Sequence, residues 1–211
     1  MGRGSSGVGG GVGKYGEGME GGDAPEARVL SSHPLVDEID KGGGGFANEI
    51  QNTRDAMERE YGSAVKMMKL HVGKFDKPGT LGAYGEDTLY MNQQYVKNKS
   101  LTPAMKAAEK SGFHPKIGKK TGAEAVAAHE VSHRLGEVAA KKAKISQKDI
   151  VARAAKKIGI KTENMAGHIS KYARSDYAET IAEAGSDVYC NGKKASKASR
   201  AIMKEIKAIL K

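Results

Sequence analysis

Residues 122–139 read Gly122-Ala-Glu-Ala-Val-Ala-Ala-His129-Glu130-Val-Ser-His133-Arg-Leu-Gly136-Glu-Val-Ala139, and they decide how the chain is read. Alanine, valine and leucine are compatible with a helix here and lay an apolar stripe around the polar triplet. On such a helix His129 and His133 lie one turn apart on the same face, so both can direct an imidazole nitrogen at one ion. Imidazole suits zinc. Glu130, one residue after the first histidine, is rotated away from the ion, and its carboxylate can reach a water held there and take its proton. Two metal ligands, His129 and His133, and a general base, Glu130, therefore come from a single turn.

A zinc ion that does chemistry takes three protein ligands and keeps a position open for water. The third ligand is sought in Tyr172-Ala-Arg-Ser-Asp176-Tyr-Ala-Glu179-Thr-Ile-Ala-Glu183-Ala-Gly-Ser-Asp187, where three acidic residues at four-residue spacing share one helix face. On spacing alone Glu179 and Glu183 compete, because Glu183 followed by Asp187 also gives a ligand with a supporting carboxylate one turn later. Glu179 has a second, purely structural reading, as the third residue of a capping box opened by Asp176.

The two pieces His129-Glu130-x-x-His133 and Tyr172-x-x-Ser175-Asp176-x-x-Glu179-x-x-Ala182-Glu183-Ala184 resemble the anthrax lethal factor-like zinc metallopeptidases, zincins of the gluzincin type. Related segments occur in phage head-morphogenesis and toxin-like proteins. In that family a tyrosine precedes the ligand glutamate by the interval that separates Tyr172 from Glu179. The resemblance therefore selects Glu179 as third ligand and makes Glu183 the partner of a ligand histidine. It also gives the Tyr172 hydroxyl the task of donating to the developing oxyanion, with His168 in reserve. It implies an α+β, helix-rich zincin-like fold and a zinc-dependent (Zn2+) endopeptidase acting on protein or peptide substrates. The alternative it leaves is a phage minor head or toxin-associated accessory module that keeps the fold with little or no turnover. Gly136 extends the motif to His-Glu-x-x-His-x-x-Gly, but Ala139 stands where a metzincin carries its third histidine, which disfavours that subclass. The likeness spans about residues 88–184. Within it, Thr88-Leu-Tyr-Met-Asn92 sits where a zincin has the edge strand that pairs with extended substrate.

Outside the motifs, composition sets the limits. More than half of the 28 glycines precede Phe46, so residues 1–45 read as a disordered Gly-rich leader or linker, able to attach a larger phage or toxin assembly, and residues 46–211 as one folded domain. Aromatic content is 5% with no tryptophan, so the core must be aliphatic and Met-rich. Helices are expected at 46–61, from the Thr102-Pro103 cap to Gly112, at 122–141, at 147–158 between Ser146 and Gly159, at 177–189 and at 196–210. A small, mainly antiparallel sheet is expected from Val65–Val72 and Thr88–Met91, with Gly79, Gly82 and Gly85 read as turns. The net charge of +10 comes from lysine runs read as solvated helix faces; without an aromatic stacking platform, nucleic-acid binding is not expected. A single cysteine, Cys190, excludes an intrachain disulfide framework and a Cys-rich zinc finger. With no apolar segment of signal-peptide or membrane-span length, the chain reads as a soluble protein, cytoplasmic or virion-associated, with no membrane partner.

Overall fold

The computed structural model describes residues 5–7, 29–33, 46–65, 69–75, 79–85, 88–97 and 101–211. In chain order the elements are β1 (Ser5–Gly7), β2 (Val29–His33), α1 (Phe46–Tyr61), β3 (Lys69–Phe75), β4 (Thr80–Gly85), β5 (Thr88–Asn92), α2 (Gln93–Lys97), α3 (Leu101–Ser111), α4 (Gly122–Ala143), α5 (Gln147–Ile158), α6 (Tyr177–Asn191) and α7 (Lys197–Leu210). The architecture is α+β and dominated by helix. Short 3-10 turns fill the connection from α5 to α6.

Local chemistry sets the helix ends where the sequence expects them. Ser146 and Asp149 form a reciprocal capping box at the start of α5, and Gly159, at φ +70°, closes it in the left-handed conformation. Thr102 behaves differently from expectation. Helix α3 begins one residue earlier, and the Thr102 hydroxyl instead accepts the Gly122 backbone N–H at 2.7 Å, satisfying a free donor in the first turn of α4. The two helix starts touch so closely that a Cβ at Gly122 would lie 2.4 Å from the Leu101 carbonyl carbon.

The sheet corrects the sequence reading in three ways. Its strand order is β1-β4-β5-β3-β2, and although three neighbouring pairs are antiparallel, β3 and β5 are parallel. Parallel neighbours need a crossover of about a dozen residues, and β4 itself, a strand the glycine-based reading had made into turns, lies in that crossover. Gly82 is in β4 because the strand runs hard against α4: a Cβ there would meet Val126 Cγ1 at 2.8 Å and the Tyr90 carbonyl oxygen at 3.0 Å. Second, Thr88–Asn92 is an interior strand. Its backbone is paired with β4 on one side and β3 on the other, so it has no open edge to offer a substrate. Third, the Gly-rich leader contributes strands at both ends of the strand order, Ser5–Gly7 beside β4 and Val29–His33 beside β3. Main-chain pairing needs no apolar side chain, which is why composition alone missed it. The rest of the leader lies outside the described residues.

Helix α4 lies at the centre. From Ala125 to His133 no residue is more than 2% exposed, so the helix is covered on every side rather than along one stripe. The sheet meets it through β4, α1 and α3 flank it, and α6 crosses it closely. At that crossing Gly136 faces Ile181, and Gly185 faces Ser132. Helices α5 and α7 pack together beside the pair, and the core is built from Ala, Val, Leu, Ile and Met. The lysines Lys116, Lys119, Lys141, Lys142, Lys144, Lys193, Lys194 and Lys197 are exposed, as a solvated charge should be. Among the described residues no helix is long and apolar enough to cross a membrane.

Candidate metal centre

Helix α4 brings the Nε2 atoms of His129 and His133 to 3.1 Å from each other. The first turn of α6 delivers Glu179 against both: its Oε2 lies 3.1 Å from His129 Nε2 and 3.6 Å from His133 Nε2. Asp176 does cap α6, accepting the Glu179 backbone N–H at 2.7 Å. The Glu179 side chain, however, turns to the imidazoles rather than back to the cap, so the capping-box reading is only half realised. All three side chains are buried, as is Glu130.

His129, Glu130 and His133 form a buried group whose ligand atoms lie within 4.8 Å of one another, close enough to hold a metal ion. Glu179 Oε2 forms a second triangle with the same two imidazoles, so it stands beside Glu130 as a candidate third ligand. Bonds of about 2.0–2.1 Å in a tetrahedral site put donor atoms roughly 3.3–3.4 Å apart, and the observed edges of 3.1, 3.1 and 3.6 Å straddle that value. A further sign is chemical. Glu179 Oε2 is buried and has no hydrogen-bond partner beyond its ion-pair approaches to the two imidazoles, at 3.1 and 3.6 Å. A buried carboxylate oxygen in that state is costly unless a cation meets it. The donor set, two imidazole nitrogens and one carboxylate oxygen, fits a divalent transition metal of the zinc type.

Glu183, one turn after Glu179, is on the other side of the same ring. Its Oε1 accepts from His129 Nδ1 at 2.8 Å, leaving His129 Nε2 to face the centre. Two residues that the sequence did not single out hold this carboxylate. His114 Nδ1 lies 2.9 Å from the same Oε1, and the Ser170 hydroxyl donates to Oε2 at 2.7 Å. His114 comes from the loop before α4 and is 3% exposed. Nothing periodic marks it in the sequence; only the scarcity of histidines, six in the chain, could have drawn attention to it.

The Tyr172 hydroxyl donates to Glu179 Oε1 at 3.1 Å, and its ring stacks over His129 with centroids 6.0 Å apart. It therefore borders the centre. His168 is exposed in the 3-10 turn Ala166–His168, on the surface rather than in the cluster. Asp187 is not a support for the centre either. Its carboxylate accepts the Ser196 backbone N–H, the Ser199 hydroxyl and the Asn191 amide, at 2.9, 2.7 and 2.9 Å, and so ties α6 to the start of α7.

Electrostatics follow the contacts. Burial pushes the Glu183 carboxyl up, but the charge of His114 and the bonds from His114 and His129 outweigh it and bring the carboxyl down to about 2. Glu179 is likewise held well below the usual carboxylate range, because His133 and His129 overcome its burial. Burial opposes protonation of His129, yet contact with Glu179 and Glu183 leaves it well above an ordinary histidine. Two buried carboxylates thus stay anionic around one imidazole, whose affinity for a proton they raise. The Glu130 carboxylate lies beneath β4: a Cβ placed on Gly82 would be 3.3 Å from Glu130 Oε1. No family model, no curated protein and no solved structure matches the chain.

Proposed function

We propose that the chain is a zinc-dependent endopeptidase of the zincin type, with His129, His133 and Glu179 as zinc ligands, Glu130 as general base and Tyr172 as oxyanion donor. The observation that carries the reading is the buried triangle of two imidazole nitrogens and one carboxylate oxygen, with edges of 3.1, 3.1 and 3.6 Å. Zinc, when bound, would supply a Lewis acid that acidifies water and polarises a carbonyl. The remaining work falls to the protein. Glu130, one helical step from the first ligand and within 4.8 Å of both imidazoles, takes the proton of the attacking water and returns it to the leaving amine. Tyr172 is held beside the centre by its bond to Glu179, and its hydroxyl turns from that carboxylate to the oxyanion as charge develops there. Glu183 keeps the His129 proton on Nδ1.

A second reading has one observation in its favour. His129, Glu130, His133 and Glu179 are 2%, 0%, 2% and 6% exposed, a closed environment that suits a metal held for structure, in an accessory module of a larger phage or toxin assembly with little turnover. One experiment separates the two: metal analysis of the purified chain combined with a peptide-library cleavage assay on wild type and Glu130→Gln. Stoichiometric zinc with cleavage that Glu130→Gln abolishes supports the peptidase. Stoichiometric zinc with no cleavage by either protein supports the accessory module.

A further inference from the structure

We infer that His114 is a positioning residue for the zinc centre, acting through Glu183 and through the Tyr172 ring; the inference rests on the zinc reading proposed above. Glu183 hangs from α6 on a flexible side chain, and one bond to His129 would leave its carboxylate plane free to rotate. Two donors from other segments fix that plane: His114 Nδ1 on Oε1 at 2.9 Å, from the loop before α4, and the Ser170 hydroxyl on Oε2 at 2.7 Å, from the loop before α6. Oε1 is thereby aimed at His129 Nδ1, 2.8 Å away, which orients the imidazole whose other nitrogen faces the centre.

The same ring touches the other half of the site. His114 packs edge-on against Tyr172 with centroids 5.2 Å apart, and Phe113 stacks on the same Tyr172 ring at 5.2 Å and 29°. The two loops are also joined by their backbones, with the Lys171 N–H donating to the Gly112 carbonyl at 3.0 Å and the Tyr172 N–H to the Phe113 carbonyl at 3.1 Å. One histidine therefore bears on both the carboxylate that orients His129 and the tyrosine bonded to Glu179. Ser170 is itself anchored, its oxygen accepting the Ala173 N–H at 3.0 Å.

The position of the donor nitrogen makes the role testable. The asparagine amide nitrogen is attached to Cγ, as imidazole Nδ1 is, whereas glutamine carries its amide one carbon farther out. Zinc affinity of the full chain is measured by competition with a chromophoric chelator for wild type, His114→Asn, His114→Gln and His114→Leu, with folding checked by circular dichroism and cobalt(II) absorption read on the same proteins. His114→Leu and His114→Gln should bind zinc about 10- to 100-fold more weakly and shift the cobalt bands, while His114→Asn stays close to wild type in both. Ser170→Ala, which removes one oxygen only, should weaken zinc binding in the same direction and keeps the test open if the His114 variants fail to fold. Unchanged zinc affinity in folded His114→Leu or in Ser170→Ala overturns the inference, as does a folded His114→Asn that falls as far as the leucine variant. Wild-type protein that binds no zinc removes the metal reading itself, and this inference with it.

Discussion

Replacing Gly185 by alanine should force apart the two helices that carry the proposed metal ligands. A Cβ at that position would stand 1.8 Å from Ser132 Oγ and 2.5 Å from Ser132 Cβ. The hydroxyl can rotate only by giving up its 2.6 Å bond to the Ala128 carbonyl, and the Cβ cannot move without its backbone. Against an ordinary contact of 3.4 Å or more, α4 and α6 must separate by something near an ångström. Overpacking of this kind costs about 1–3 kcal/mol, and contact with a helix's own Cβ belongs at the upper end; the helix preference of alanine over glycine returns about 1 kcal/mol. The net loss is about 2 kcal/mol, or a drop of roughly 4–8 °C in melting temperature for a chain of this size. Because Glu179 and Glu183 ride on α6 while both histidines ride on α4, zinc affinity should fall as well. Adding Ser132→Gly removes both clashing atoms and should bring the double variant to within about 1 kcal/mol of wild type. Thermal melts and zinc titrations on wild type, Gly185→Ala, Ser132→Gly and the double variant decide it: a Gly185→Ala variant as stable as wild type, or a double variant no better than Gly185→Ala alone, refutes the close-crossing argument.

Glu130→Gln should keep its zinc and lose about 10²- to 10⁴-fold in peptide cleavage, whereas His133→Ala should lose both, as read by metal analysis and a fluorogenic peptide assay. Metal-free protein should weaken in acid: Glu183, at about 2 when folded against 4.5 for a free carboxyl, stabilises the fold fully above about 4.5, and that stabilisation drains away as pH falls from there toward 2. Urea melts of wild type and Glu183→Gln across that window should converge at its acid end; a constant difference contradicts the assignment. Ser146→Ala, which removes the hydroxyl that accepts the Asp149 N–H at 3.1 Å, should cost about 1 kcal/mol by loss of the α5 cap, visible as a melting point lower by roughly 2–4 °C.

What could be read from the sequence was what nearest neighbours along a helix decide. The proximity of His129, Glu130 and His133, and the local caps at Ser146 and Gly159 of α5, depend on spacings of four residues or fewer, and the structure places these side chains accordingly. The choice between Glu179 and Glu183 was different. Both lie on one face, so spacing ranked neither, and the fold employs both, Glu179 at His129 Nε2 and Glu183 at His129 Nδ1. His114 and Ser170 were invisible because their contacts with Glu183 join loops that are distant along the chain and carry no periodic signal. Strand β4 was missed for a related reason. Gly82 looks like a turn residue in isolation, and its actual cause, the close passage over Val126 and Glu130, is a long-range fact.

The two carboxylates and the two close glycine contacts belong to one device. Residues four apart on a helix are separated by about 6 Å along its axis, and Glu179 and Glu183 use that step to meet the two nitrogens of the single His129 ring, at 3.1 and 2.8 Å. They can do so only if α6 passes α4 at a distance that a short glutamate side chain spans. That distance is set where side chains are missing: at Gly185, whose hydrogen faces Ser132, and at Gly136, where a Cβ would come within 3.1 Å of Ile181 Cγ2. Gly136, which as an extension of the histidine motif pointed toward a metal-binding subclass, thus owes its identity to helix packing. The donors give the centre its chemistry, and the glycines between the helices give it its dimensions.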